Sequence, residues 1–259
     1  MSAYYDTIAR YYDAETSSRT DDLALYSALV EEYGGPVLEV GCGTGRVLLH
    51  LAQEEIKVHG VDTSRAMLDR LDQKLHAFPH LLQYVSYSEV DVLAYSTSTR
   101  YKLALMSYNA LMHFHTQDLQ IALLNKLRSL LTDDGLLVLD LPNAGEIFAT
   151  QDSEHLIVDR TFLDPETGHM ILLQSLSRLD RTTQLLHVEW VYDETTADGT
   201  VRRLFVPHVL RYFFFPEIKL LLERCGFAVQ AVYGDTDESP FEDGCERMLV
   251  YARPDLGED

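Results

Sequence analysis

The sequence has 259 residues, of which 46% are hydrophobic and 24% are charged, as in ordinary globular proteins. A chain of this length is sufficient for one large α/β domain with an insertion. Its net charge of -20 repels nucleic-acid phosphates and anionic lipids at long range, so the composition disfavours tRNA, rRNA, DNA and membrane surfaces as partners.

The cysteines and the first residues bear on the cellular compartment. Cys42, Cys225 and Cys245 are odd in number and widely spaced, which argues against a disulfide framework and a zinc site. The start of the sequence lacks the basic and apolar segments of a secretory signal, and no apolar run approaches the ~20 residues of a membrane span. We therefore expect a reduced, cytoplasmic protein with no membrane span and no metal.

Helical and extended patterns alternate over the first 150 residues. Residues 4–33 predict two helices, and Gly34-Gly35-Pro36 ends the second. Strands are predicted at 37–41, 57–62, 82–88, 102–107 and 136–141, the last after a turn at 133–135. Helices are predicted at 46–54, 64–75 and 117–131, with Thr63 or Ser64 capping the second of these. This alternation predicts a doubly wound parallel sheet.

The pattern changes between residues 152 and 214. Strands with a period of two are predicted at 170–179, 185–192 and 201–215, separated by turns at 180–183 and 197–199. They indicate an antiparallel meander inserted into the α/β unit. A helix at 216–225, ended by Gly226, and strands at 227–233 and 246–252 complete the chain.

The turn after the first strand carries glycines at alternate positions, in the pattern E-x-G-x-G-x-G. Glycine permits sharp bends and lets a ligand approach the backbone closely. The dinucleotide fingerprint G-x-G-x-x-G would need a third glycine at position 46, where the sequence has Arg46. The pattern resembles motif I of class I S-adenosylmethionine-dependent methyltransferases. That family has a seven-stranded, mostly parallel Rossmann-like sheet with helices on both faces.

The resemblance implies a division of the chain around an S-adenosylmethionine-binding α/β core at 34–150. An N-terminal helical cap at 1–33 precedes this core. An antiparallel β lid at 151–215 is inserted between the fifth and sixth strands, and residues 216–259 complete the core.

Further residues match the family in the expected order. Asp62, about 20 residues after the glycines, would accept hydrogen bonds from the ribose hydroxyls. Asp91 and the amide of Val92 would meet the adenine. Each acid alone has an ordinary alternative as a cap or loop residue. The cofactor-binding residues that the resemblance implies are Tyr5, Glu39, Gly41, Gly43, Gly45, Asp62, Thr63, Met67, Asp91, Val92, Ser107, Tyr108 and Asn109.

Residues 5–13 resemble the Y-D-x-I-A-x-x-Y-D opening of small-molecule methyltransferases. These include nucleotide-sugar amino N-methyltransferases and relatives of the glycine and sarcosine enzymes, in which the segment folds over the cofactor. A helix that merely packs on the core, with its tyrosines reaching to solvent, is the alternative.

Methyl transfer from a sulfonium needs alignment and exclusion of water more than it needs a catalytic triad. His113 is the first candidate for a general base, with Tyr11 and Tyr12 as alternative polar groups near the methyl. A histidine with a purely structural hydrogen bond is an equally good interpretation of His113. The Asn/Asp-Pro-Pro-Tyr motif of enzymes that methylate bases is missing, and residues 107–110 stand in its place, which again disfavours nucleic acid.

The lid is expected to supply acceptor specificity. Trp190, His208, Arg211 and Tyr212 are the predicted substrate contacts, and Arg211 could pair with an acidic group. Aromatic residues in such strands also form cores or dimer interfaces.

These observations predict methyl transfer from S-adenosylmethionine to a small-molecule acceptor, in first place an amine nitrogen. A hydroxyl or carboxyl acceptor is the second hypothesis. A non-catalytic cofactor-binding protein and a nucleotide-dependent oxidoreductase are the rivals from other classes. The sequence leaves a monomer and a homodimer equally open.

Overall fold

The computed structural model describes residues 2–16, 18–149, 152 and 155–257. Helices α1 to α7 span Ser2–Thr16, Leu23–Tyr33, Arg46–Gln53, Arg65–Ala77, Gln117–Leu130, Ala144–Ala149 and Phe215–Arg224. Strands β1 to β11 span Val37–Val40, Val58–Asp62, Val85–Glu89, Tyr101–Met106, Leu131–Pro142, Ile157–Leu163, Met170–Asp180, Leu185–Thr195, Val201–Arg211, Phe227–Tyr233 and Arg247–Pro254.

Seven strands form one sheet in the order β10-β11-β5-β4-β1-β2-β3. Strand β11 runs antiparallel to both of its neighbours, whereas the strands from β5 to β3 pair in parallel. Strand β1 lies between β2 and β4 in the sheet. The chain builds the sheet outward from β1 through β2 to β3, and then crosses back to place β4 on the other side of β1. In open α/β sheets, ligands bind at the carboxyl ends of the strands beside such a reversal.

Successive side chains of the central strands pack on opposite faces of the sheet because strand residues alternate in direction. Leu38 belongs to the core on the face covered by α5 and α7, and Val37 belongs to the core under α2, α3 and α4. Both residues are fully buried. This two-sided burial explains why β1 and β4 consist of apolar runs.

Strands β6 to β9 form a separate antiparallel sheet, which we call the lid sheet. Ile8 and Tyr11 of α1 pack against Ile171, Tyr192 and Val206 on one face of it. The predicted seven-stranded sheet with an antiparallel insertion between its fifth and sixth strands is therefore confirmed, and α1 lies between the two sheets.

Several element limits differ from the prediction. Residues 133–135 lie within β5, whose register against β4 shifts there, so the predicted turn is an irregularity in a longer strand. Strand β3 begins at Val85 because Pro79–Gln83 forms a 3-10 turn. Strand β9 ends at Arg211 rather than at 215.

Two elements, α6 and β6, were not predicted. Strand β6 is an edge strand whose Ile157 and Val158 are exposed, so it lacks the alternation of a half-buried strand. Among the described residues, every helix is too short or too polar to cross a lipid bilayer.

Candidate functional site

The glycine turn leaves β1 at the carboxyl edge of the sheet. Gly41, Gly43 and Gly45 have φ angles of 76°, 54° and 81°, which favour glycine. A Cβ at Gly43 would stand 3.2 Å from Met67 Cε, and one at Gly41 would stand 3.3 Å from Ala110 Cβ. The turn therefore presents bare backbone to a narrow space in front of α3.

Asp62 ends β2 and is tied to this turn. Its Oδ2 accepts a 2.8 Å hydrogen bond from the Gly43 amide, and its Oδ1 accepts one of 2.8 Å from the Ser64 amide. Burial raises the pKa of this carboxyl despite these hydrogen bonds. The remaining lone pairs of a carboxylate so held can accept hydrogen bonds from a pair of ligand hydroxyls.

Glu39 lies on β1 beneath the turn and is buried. Its Oε1 accepts a 2.7 Å hydrogen bond from Ser107 Oγ, while its Oε2 is buried with no partner among the described residues. Burial raises the pKa of Glu39 to about 7. A buried oxygen without a partner is costly, so a ligand cation or N–H at this place would be favourable.

One pocket lies along these groups at the carboxyl ends of β1, β2 and β4. It is lined by Tyr5, Tyr12, Val40, Gly41, Gly43, Val61, Asp62, Thr63, Met67, Val90, Asp91, Val92, Ala110, His113 and Phe114. Eight of the thirteen predicted cofactor residues are in this lining: Tyr5, Gly41, Gly43, Asp62, Thr63, Met67, Asp91 and Val92. The lining therefore combines two carboxylates, the bare backbone of the glycine turn and apolar side chains.

The other predicted cofactor residues lie behind or beside the pocket. Gly45 approaches Leu71 of α4 and allows α3 to begin. Glu39 and Ser107 form the buried pair described above. Tyr108 and Asn109 have φ angles of 42° and 67°, so the chain after β4 turns sharply here. The Tyr108 amide donates a 3.0 Å hydrogen bond to Asp140 Oδ2.

Two aspartates of α1 hold this helix across the pocket. Asp6 Oδ1 accepts a 2.6 Å hydrogen bond from Ser64 Oγ at the start of α4. Asp13 Oδ1 accepts hydrogen bonds from Thr44 Oγ1 at 2.6 Å and from Lys74 Nζ at 2.7 Å. Neither aspartate is among the predicted site residues, although their spacing of seven residues places both on one side of a helix.

Four aromatic rings from distant parts of the chain meet above the pocket. The Tyr5 hydroxyl and His113 Nε2 share a hydrogen bond of 2.9 Å. The ring centroid of His208 lies 5.2 Å from that of His113, and Tyr4 stacks on His208 at 3.8 Å. The sequence offered no signal for Tyr4.

Burial sets the charge of this ring cluster. It lowers the pKa of His113 to about 3 and that of His208 to about 4, so both imidazoles are neutral near pH 7. Burial also raises the pKa of Tyr5, which keeps its phenol protonated. The cluster is therefore an uncharged set of hydrogen-bonding groups beside the pocket.

Tyr11 and Trp190, predicted to lie near the methyl group and the acceptor, are elsewhere. Tyr11 stacks on Tyr192 with centroids 5.2 Å apart, in the contact between α1 and the lid sheet. Trp190 packs against the same cluster. The helical period explains the first difference, because Tyr11 is three residues after Ile8 and shares its lid-facing side.

Arg211 and Tyr212, two further predicted substrate contacts, also lie outside the pocket lining. Arg211 forms a 2.5 Å ion pair with Glu217 of α7 and donates a 2.7 Å hydrogen bond to the Thr183 carbonyl. Tyr212 is 1% exposed, and its ring contacts those of Phe148 and Phe214. Both side chains join the end of the lid to the core.

Three comparisons with known proteins agree with this geometry. Residues 37–135 match a family described as a methyltransferase domain. The chain is 29% identical over 252 residues to the cypemycin N-terminal methyltransferase of a Streptomyces species, with 96% of each chain covered. The CcbJ methyltransferase of Streptomyces caelestis is 26% identical with a TM-score of 0.83, and 98% of each chain is covered.

The fold is also that of the S-adenosylmethionine-bound CalS10, an amino pentose methyltransferase from Micromonospora echinaspora. That structure has a TM-score of 0.65 at 19% identity, with 93% of this chain and 96% of CalS10 covered.

The matched domain and the similarity to named methyltransferases identify the protein as an S-adenosylmethionine-dependent methyltransferase. The matched segment contains the glycine turn, Asp62 and Asp91, and thus the main part of the pocket. More particularly, the chain is similar over almost its whole length to two proteins named as methyltransferases, CcbJ and the cypemycin enzyme. Within the described part of the chain, no group of three or more His, Cys, Asp or Glu side chains is arranged to hold a metal ion.

Proposed function

We propose that this protein methylates an amine nitrogen of a small molecule and releases S-adenosylhomocysteine. When bound, S-adenosylmethionine supplies an activated methyl group on a cationic sulfur. Glu39 and the glycine turn would hold its aminoacyl part, Asp62 its ribose, and Asp91 with Val92 its adenine. The protein's remaining task is to align the acceptor and to exclude water.

The observation that carries the proposal is the uncharged ring cluster, in which Tyr5 and His113 are half-buried and His208 is buried. The same burial that keeps His113 and His208 uncharged disfavours the ammonium form of an amine that enters beside them. A neutral amine is the nucleophilic form, so it needs no base before methyl transfer. The Tyr5–His113 hydrogen bond holds both rings in place and allows Tyr5 or His113 to orient an acceptor N–H.

The weak basicity of His113 favours an amine over an alcohol as the methyl acceptor. The lowered pKa of His113, about 3, makes its imidazole a poor acceptor for the proton of an aliphatic hydroxyl. The names of two similar proteins also support nitrogen, because one is an N-terminal methyltransferase and the other acts on an amino pentose. An O-methylated product is the alternative that the experiment below distinguishes.

The test is a panel of primary and secondary amines, each paired with the alcohol of the same carbon skeleton. S-adenosylhomocysteine and the methylated product are quantified by mass spectrometry, with Asp62→Ala as the variant impaired in cofactor binding. We expect turnover of amines and none of the paired alcohols. Turnover of alcohols alone would refute the proposal, and cofactor binding with no turnover of either series would indicate a non-catalytic protein.

A further inference from the structure

A second cavity adjoins the pocket on the side of the lid sheet, and we call it the outer groove. Its volume is about 430 Å³, within the range of ~300–1,000 Å³ that is usual for small-molecule sites. Asp91, His113 and Phe114 line both cavities, so the pocket and the outer groove share a wall. Other parts of its lining come from α1, α5 and β9, namely Tyr4, Leu119, Pro207, His208 and Val209.

The outer groove is lined mainly by aromatic and apolar groups. Tyr4 and His208 stack on each other at 3.8 Å along one side. His115 Nε2 lies 2.9 Å from the Val209 carbonyl oxygen, to which it donates a hydrogen bond, so His115 is itself fixed to β9. Leu119 adds an apolar side chain from the first turn of α5. Among the described residues that line the outer groove, Asp91 is the single carboxylate and none is Lys or Arg.

This lining discriminates by charge. A carboxylate or phosphate in the outer groove would lose hydration without meeting a lysine or arginine among the described lining residues, and it would be repelled by Asp91. An ammonium group would instead be attracted by Asp91. Apolar rings or chains would displace water from Leu119 and Val209.

We propose that the outer groove binds the body of the methyl acceptor, and that this acceptor is an amine on an apolar ring or chain without a phosphate or carboxylate. His113, in the wall that the two cavities share, marks the place where the acceptor nitrogen passes into the pocket. This assignment rests on the proposed function, which it narrows from amines in general to those without an anionic group.

Binding of two matched probes tests the assignment. The protein is saturated with S-adenosylhomocysteine and titrated by calorimetry with 2-phenylethylamine and with 4-(2-aminoethyl)benzoate, which adds a carboxylate to the same skeleton. We expect the Kd of 2-phenylethylamine to be lower than that of the benzoate by at least about tenfold. The carboxylate of the benzoate is repelled by Asp91 and loses hydration in the outer groove.

A surface variant then places a cation in the outer groove. Leu119 is 42% exposed, so Leu119→Arg is compatible with folding. We expect this variant to bind 2-phenylethylamine about fivefold more weakly, because the arginine repels the amine's positive charge. It should bind the benzoate more tightly by a similar factor, because the arginine attracts the carboxylate. The matched control is Leu220→Arg on α7, where the leucine is 67% exposed and outside the lining. S-adenosylhomocysteine affinity reports that both variants are folded.

Three outcomes would overturn the assignment: equal or tighter binding of the benzoate to the wild type, binding of neither probe, or equal effects of Leu119→Arg and Leu220→Arg. The proposed function fails separately, through turnover. If 2-phenylethanol is methylated and 2-phenylethylamine is not, nitrogen is the wrong acceptor atom even where the binding preference holds.

Discussion

The amide of Gly43 donates a 2.8 Å hydrogen bond to Oδ2 of Asp62, which joins the glycine turn after β1 to the end of β2. The carboxylate therefore has two tasks, since it stabilises the turn and presents its free lone pairs to the pocket. Removing it would affect the shape of the turn as well as the contact with a ligand.

Asp62→Ala is expected to weaken S-adenosylhomocysteine binding by roughly 10- to 100-fold, because hydrogen bonds to a charged group are worth ~1.5–3 kcal/mol. Asp62→Asn keeps an oxygen that can accept the hydrogen bond from the Gly43 amide, so it should lose less affinity for S-adenosylhomocysteine. Calorimetric titration measures both, with Asp69→Ala on the exposed side of α4 as the control. Wild-type affinity in a folded Asp62→Ala protein would contradict this role.

Cofactor affinity should depend on pH through Glu39. Its pKa of about 7 lies above the usual 4.5, because burial outweighs the opposing effects of Ser107 and Arg46. If a ligand ammonium pairs with Glu39, the carboxyl has to lose its proton on binding. Affinity for S-adenosylhomocysteine should then rise about tenfold per pH unit up to about pH 7 and level off above it.

Glu39→Gln removes the titrating group and should abolish this slope. Calorimetry between about pH 5.5 and 8 compares the two proteins. An identical slope in Glu39→Gln would assign the pH dependence to another group.

Stability in acid should depend on His113. Its folded pKa, about 3, lies below the ordinary 6.5. As pH falls, His113 takes up a proton at a higher pH in the unfolded chain than in the folded one. The free energy of unfolding is therefore highest above about pH 6.5 and decreases toward pH 3. In His113→Phe this loss is absent, and the difference in free energy of unfolding from wild type should change by about 1.4 kcal/mol per pH unit.

Urea unfolding at several pH values between about 4.5 and 7.5 measures this difference. A difference that does not vary with pH would show that His113 titrates alike in the folded and unfolded states.

Gly45→Ala should destabilise the protein. The added Cβ would overlap Leu71 Cδ1, and the φ angle of 81° is unfavourable for alanine. We expect overpacking to cost about 1–3 kcal/mol beyond the backbone term. Gly199→Ala isolates that backbone term, because its φ is 83° and nothing lies within 4 Å of the place that a Cβ would occupy. Similar melting temperatures for the two variants would rule out a steric role of Gly45.

Arg211 is expected to contribute to stability and not to acceptor binding. Arg211→Met leaves Glu217 partly buried without its cation, and breaking such a pair costs up to about 3–5 kcal/mol when burial is complete. Thermal unfolding should show a large loss compared with Arg178→Met, an exposed position on β7. A stable Arg211→Met protein with a raised KM for the acceptor would restore the predicted substrate contact.

Sequence patterns were sufficient to predict the parts of the site that depend on where a strand ends or a helix begins. Strand ends bring Gly41, Asp62 and Asp91 to one edge of a parallel sheet, and Ser64 caps α4 as expected. His208 is different, because its contacts with Tyr4 and His113 join segments about 200 and 100 residues apart in sequence, respectively. No periodicity within one segment encodes such contacts.

The lid residues show the same limit in another form. Period two correctly places Arg211 within the lid pattern, but its partner Glu217 lies on α7, beyond the strand. Alternation indicates two faces of a strand and does not tell which of them meets the pocket.

Asp6 and Asp13 hold α1 to the core by hydrogen bonds and an ion pair at its two ends. Because Tyr5 and Tyr12 of this helix line the pocket, these contacts also fix one wall of the pocket. Since the Asp13–Lys74 pair is partly exposed, we expect the affinity for S-adenosylhomocysteine to fall as ionic strength rises and screens this attraction.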